Sequence, residues 1–140
     1  MSFSDQIKTF KQKCEDGLRH THGNFTTILQ ERIMEDTPVL TGRLKSEWQA
    51  TVGESVPTTS LFDENVNSYS WQETIDKGKA EMEYVGIDDT TRLTNNCNYA
   101  YDIEFNRASK FKAPNGMVRI NITIPILEMV LQQAVQLSNI

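Results

Sequence analysis

Arg43-Leu44-Lys45-Ser46-Glu47-Trp48-Gln49-Ala50-Thr51-Val52 is the stretch on which the fold turns. Leu44, Ser46, Trp48, Ala50 and Val52 alternate with Arg43, Lys45, Glu47, Gln49 and Thr51. That period of two predicts a strand with one largely apolar face and one solvated face, the pattern of an antiparallel sheet covered on one side only. Whatever covers it must come from the flanking segments.

Upstream, Phe3, Ile7, Phe10, Cys14, Leu18, Phe25, Ile28, Leu29 and Ile33 recur at helical spacings, which predicts helix over about residues 4–35. Gly17 and the pair Gly23, Asn24 leave two options: one bent helix, or a short helix followed by a second with Asn24 as its N-cap. Pro38 ends the run either way. A continuous helix of that length would be a rod of about 45 Å, long for one small domain and in need of cover from outside it.

Downstream, residues 53–67 are polar and interrupted by Pro57, which predicts a loop of a length suited to an insertion or a mobile contact arm. Ser70 and Glu73 form a capping-box pattern opening a short helix with Trp71 and Ile75 on one face and Gly78 at its end. Residues 82–87 and 91–95 read as strands joined by a turn at Asp88, Asp89 and Thr90. Residues 99–105 suit a helical turn or a strand. Lys112, Ala113, Pro114, Asn115 and Gly116 must be irregular. Val118, Ile120, Ile122 and Ile124 alternate with Arg119, Asn121 and Thr123 as a last strand. Pro125 then suits the first turn of a helix whose inner face is Ile126, Leu127, Val130, Leu131, Ala134 and Leu137. The whole predicts one α+β domain over residues 1–140: a mainly antiparallel sheet with a long N-terminal helix and a C-terminal helix packed against it.

The 140 residues suit a single domain, and Leu, Ile, Val and Phe make up about a quarter of them, above the fifth below which charged chains stay disordered. No window reaches the roughly 18 uninterrupted apolar residues of a membrane span, and the first residues lack the apolar core of a signal peptide. A soluble protein made in the cytosol is the expectation. The net charge of -5 is unevenly spread. Residues 1–45 hold seven basic and six acidic side chains, residues 46–104 three and twelve, and residues 105–140 four and one. An acidic middle argues against a nucleic-acid reader, whose affinity comes from Lys and Arg on phosphates.

Chemistry-bearing patterns are sparse. Cys14 and Cys97 have no metal or redox spacing and are expected as reduced thiols. Cys14, His20 and His22 carry the alternative of a small metal-dependent enzyme, but residues two apart on a helix point about 200° from each other, and no fourth ligand is evident. Asp88, Asp89, Asp102 and Glu104 are the candidate acid/base or metal carboxylates; a solvated turn accounts for the first two more simply. No nucleophile elbow, phosphate-binding loop, zinc-protease or dinucleotide fingerprint is present. No cofactor is expected.

Asp36-Thr37-Pro38-Val39-Leu40-Thr41-Gly42-Arg43-Leu44-Lys45, with Trp48 following, resembles the Thr-Pro-x-x-Thr-Gly-x-Leu signature of the phage HK97 gp10-like tail-component family. A second block, Asn95-Asn96, Tyr99-Ala100, Ile103-Glu104-Phe105 and Ala113-Pro114-Asn115-Gly116-Met117-Val118, resembles that family's later pattern, with Asn106 where the family has Gly; the resemblance leaves about residues 53–80 uncovered, as an insert within the single domain 1–140. The resemblance implies a non-enzymatic virion protein of the neck of a tailed bacteriophage, joining head to tail or completing the tail, with a tail-terminator ring capping the tail tube as the adjacent alternative. It implies a homo-oligomeric ring of six or twelve copies, six being expected, assembled in the host cytoplasm. Its partners would be a connector or adaptor and the tail terminator or tail tube, with DNA passing through the lumen unbound and no membrane involved. Its motif residues, Pro38, Thr41, Gly42, Arg43, Leu44, Trp48, Tyr99, Ala100, Glu104, Pro114, Gly116 and Met117, are expected to maintain the fold: Gly42 and Gly116 as turn formers, Trp48 and Tyr99 as core aromatics, Arg43 either as a partner for Glu104 or as a solvated side chain.

Overall fold

A computed structural model describes residues 2–39, 42–54, 56–62, 70–105, 113 and 115–138. Thr41, Pro114 and Asn106 lie outside them. The element order is α1 (Phe3–Glu35), α2 (Arg43–Ser46), β1 (Trp48–Val52), α3 (Trp71–Met82), β2 (Thr91–Asn95), α4 (Ala100–Phe105) and α5 (Ile124–Ser138). The architecture is α+β, a long N-terminal helix and a C-terminal helix packed with a small antiparallel sheet.

Of the two options for the N-terminal segment, the continuous helix is the one formed. α1 spans 33 residues, about 50 Å at 1.5 Å per residue. Ser2 and Asp5 close a capping box at its start. Gly23 marks a close approach rather than a break, since a Cβ there would sit 3.0 Å from the Met82 carbonyl. Asn24 is not an N-cap; its side-chain amide donates to Ser138 Oγ at 3.0 Å.

β1 and β2 pair antiparallel, Trp48 opposite Asn95 and Val52 opposite Thr91. The strand expected from residue 44 begins only at Trp48, because residues 43–46 turn helically after Gly42, whose φ is 87°. The carbonyls that would have joined a ladder go elsewhere: Asn95 Nδ2 donates to Leu44 O at 2.8 Å and Thr74 Oγ1 to Ser46 O at 2.5 Å. Leu44, Ser46, Trp48 and Ala50 nevertheless all face inward.

Two expected strands are absent. Residues 82–87 do not form one, because α3 does not stop at Gly78 but continues to Met82 and ends in successive turns that bury Met82 and Val85. β2 therefore pairs with β1 rather than with a strand at 82–87. Residues 118–123 are also turns, with the Asn121 and Ile122 amides donating back to Val118 O. Residues 99–105 resolve as the helical α4. α5 starts at Ile124 with Pro125 in its first turn, and buries Val130 and Ala134, whereas Leu131 and Leu137, expected inward, are exposed.

α3 falls within the segment read as an insert, yet it is packed into the molecule. Ser70 caps it by accepting from the Glu73 amide at 3.2 Å, and its buried face is Thr74, Gly78 and Met82, with Trp71 outward. At the centre of the packing lies Gln30 of α1, which donates through Nε2 to Trp48 O at 2.9 Å. A Cβ at position 78 would stand 2.5 Å from Gln30 Oε1. Gly78→Ala in a helix normally stabilises by about 1 kcal/mol. Here it displaces a buried amide, so we expect a loss of about 1–3 kcal/mol, seen as a lower midpoint in thermal unfolding; an unchanged or higher midpoint would contradict this packing.

Candidate functional site

The two motif blocks, some 50 residues apart in sequence, meet at one place. Ile33, Met34, Leu44, Trp48, Cys97, Ala113 and Met117 form a single buried cluster, with Ala100, Ile103 and Val118 packed against it. Trp48, on β1, is fixed by its polar edge: Nε1 donates to Thr37 Oγ1 at 3.0 Å, and that hydroxyl donates to Ile33 O at 2.7 Å. A buried indole N–H needs such a partner. Thr37 therefore ends α1 and seats the tryptophan together. Asp36 beside it accepts from Asn121 Nδ2 at 2.7 Å, and the same amide reaches Met117 O at 2.9 Å.

Glu104, on α4, is 6% exposed and points into the turn at 116–119. Its carboxylate accepts the backbone N–H of Met117, of Val118 at 2.9 Å and of Arg119 at 2.9 Å, and Arg119 Nε at 3.2 Å. Arg119 also donates to the Glu104 carbonyl, and its guanidinium lies 5.5 Å from the Phe105 ring. Arg43 was one reading of the cation at Glu104, the other being a solvated side chain; the guanidinium on this carboxylate is that of Arg119. Gly116 is part of the same device. Its φ is 89°, and a Cβ there would fall 2.6 Å from Glu104 Oε1. Burial pushes the Glu104 carboxyl up, but the amides of Val118, Arg119 and Met117 and the Arg119 side chain outweigh it and hold the group below its usual 4.5.

Glu47 is the counterpart that the alternation pattern misplaced. It was assigned to the solvated face, yet it is 0% exposed. It sits in the turn between α2 and β1, and its carboxylate accepts the amides of Leu61 at 2.8 Å and Phe62 at 3.1 Å. Polar residues in a two-residue alternation carry no mark of this; only the helical turn at 43–46 rotates Glu47 inward.

The chain matches no protein-family model, no curated protein and no solved structure with which it was compared. Among the expected site residues, Gly42, Leu44, Trp48 and Met117 are buried, Ala100 and Pro38 are half-buried, and Tyr99 stands at the rim rather than in the core. Cys14 is exposed, and His22 shares a contact of 3.3 Å with Thr91 Oγ1, which in turn meets Thr26 Oγ1 at 2.7 Å. Among the described residues no group of three or more His, Cys, Asp or Glu side chains is placed to hold a metal, so Cys14, His20 and His22 do not assemble into one. Asp89 is spent on the Gly86 amide at 2.6 Å and Glu104 on its turn, so neither is paired for acid/base work. A groove of about 460 Å³ between α1, β2 and residue 122 is walled by Phe25, Leu29, Leu93 and Ile122, and its polar end, His22 with Thr26 and Thr91, is bonded within itself. What converges here is a folding device.

Glu104→Gln removes the charge from a carboxylate bonded to three amides and should cost about 2 kcal/mol at neutral pH. Because the folded-state value is lowered, this stabilisation is complete above pH 4.5 and is lost as pH falls through the lowered value. Denaturant unfolding should therefore separate wild type from Glu104→Gln at pH 7 and bring them together in acid; a gap that widens in acid would contradict the assignment. Gly116→Ala, forcing a side chain into both a left-handed position and the carboxylate, should destabilise by at least as much.

Proposed function

We propose that this chain is a structural subunit of the neck of a tailed bacteriophage, completing the tail or joining it to the head as part of a homo-oligomeric ring, and that its work lies in assembly rather than catalysis. The observation that carries this reading is the convergence of the two family-like blocks. Leu44 and Trp48 from the first and Ala100, Glu104, Gly116 and Met117 from the second meet in one core and its clamp. A pattern shared with the phage HK97 gp10-like tail components would be retained for such a reason. The exposed apolar residues of α1 support it too, since a subunit built for a ring keeps part of its core-like surface for neighbours.

In such a ring the acidic middle of the chain has a use. Glu47 and Glu104 turn inward, but Glu54, Glu73 and Asp76 are exposed. Carboxylates lining the passage repel the DNA phosphates, so the duplex slides rather than sticks.

The test is to delete the coding sequence from its phage and image the particles. Filled heads and separate tails that fail to join, restored by supplying the protein, are expected. Intact virions formed without it would overturn the proposal.

A further inference from the structure

The first four turns of α1 pack against no other element among the described residues. α5 runs antiparallel to α1, with Asn121, just before it, bonded to Asp36 and Ser138 bonded to Asn24. It therefore covers only the second half of α1, and every residue from 2 to 14 is exposed. This overhang is not polar all round. Phe3, Ile7, Phe10, Cys14, Gly17 and Thr21 are spaced by four, three, four, three and four, and at 3.6 residues per turn they fall in one stripe about 80° wide. Gly17 and Thr21 are buried, and Gly17 lines a groove with Ser138. One continuous stripe is thus covered along the part beside α5 and bare beyond it, with Phe3 77% and Phe10 69% exposed.

Charge indicates what covers the bare part. Helical geometry puts Lys11 and Lys13 on its two borders, Lys11 also bridging to Glu15 at 3.7 Å; the one acidic side chain among residues 2–14, Asp5, is engaged in the capping box. Elsewhere on the molecule, the corner at residues 81–89 has the complementary character. Tyr84, 80% exposed, and Ile87 stand there among Glu81, Glu83, Asp88 and Asp89, with no Lys or Arg in the span. The two patches of one molecule cannot meet. The corner is packed beside Gly23, and 20 residues of unbroken helix put Phe3 about 30 Å farther along.

We propose that the bare stripe of α1 docks on the 81–89 corner of a second copy of this chain. The two surfaces differ, so the contact is heterologous and propagates from copy to copy until it closes. Four turns of helix present on the order of 400 Å² per partner, half of the roughly 800 Å² that a stable pairwise interface buries on each side. A lone pair is weak, and a ring in which every copy uses both patches is held. The proposal supplies the seam that the ring reading needs and rests on that reading only for closure. The corner carboxylates then lie at the seam, leaving Glu54, Glu73 and Asp76 for the lumen.

Sedimentation velocity on the purified chain over a range of concentrations tests it. Wild type should form a cyclic oligomer. Phe10→Ser, the pair Lys11→Glu, Lys13→Glu, and the pair Glu83→Lys, Asp88→Lys should each weaken association by about tenfold or more. All these side chains are exposed, so circular dichroism should be unchanged. Combining the two charge reversals in one chain should restore assembly. Loss of assembly in the α1 reversal with none in the corner reversal would mean that the helices pair with each other and would overturn the proposal. A wild type that stays monomeric would overturn it as well, with a different protein as the occupant. If Phe10→Ser assembles normally while the deletion phage still fails to join heads to tails, this seam is wrong and the neck reading stands.

Discussion

The bond between the Glu104 carboxylate and the amides of Met117, Val118 and Arg119 is the constraint on which the rest of the molecule depends. Taking a carboxylate out of water is costly unless its lone pairs are met in full. Here three backbone N–H groups and a guanidinium meet them. The same amides are those that residues 117–119 would have offered to a strand ladder. With them spent, the chain turns instead, Asn121 comes to bridge Asp36 and Met117, and α5 is delivered onto α1. Gly116 has no side chain because the carboxylate occupies its place.

A second inward carboxylate, Glu47, holds residues 61 and 62 in the same manner. Between the two clamps the apolar cluster around Trp48 and Met117 is closed on itself, and its polar edges are bonded to Thr37, Gln30 and Asn121. Exposed apolar side chains lie at the periphery, among them those of the α1 overhang and of the acidic corner.

Much of this was readable from sequence, and what was not has physical reasons. The helical character of residues 4–35 was legible from apolar spacings of three and four, while its continuity past Gly17 and Gly23 was left open, because a glycine does not reveal that Met82 packs against it. The inward face of Leu44 to Val52 and the strand at 91–95 followed from alternation and β-branched content. The alternation at Val118, Ile120, Ile122 and Ile124 misled because strand propensity says nothing of whether the amides are free. Gly78 looked like a helix stop because a glycine does not reveal which side chain, here Gln30, needs its space. Glu47 was placed on the solvated face and the amides that hold Glu104 were not foreseen, since a carboxylate's destination is set by amides 13 to 15 residues away. Glu104, Gly116 and Met117, which stand apart in sequence, are contiguous in space.

Native-state amide hydrogen exchange at Met117, Val118 and Arg119 tests the central claim most directly. If the Glu104 carboxylate holds this turn, these three amides exchange as slowly as those of β1 despite lying outside any helix or strand, and in Glu104→Gln they become fast together while the centre of α1 stays protected. Exchange at ordinary loop rates in the wild type, or unaltered protection in Glu104→Gln, would contradict the account.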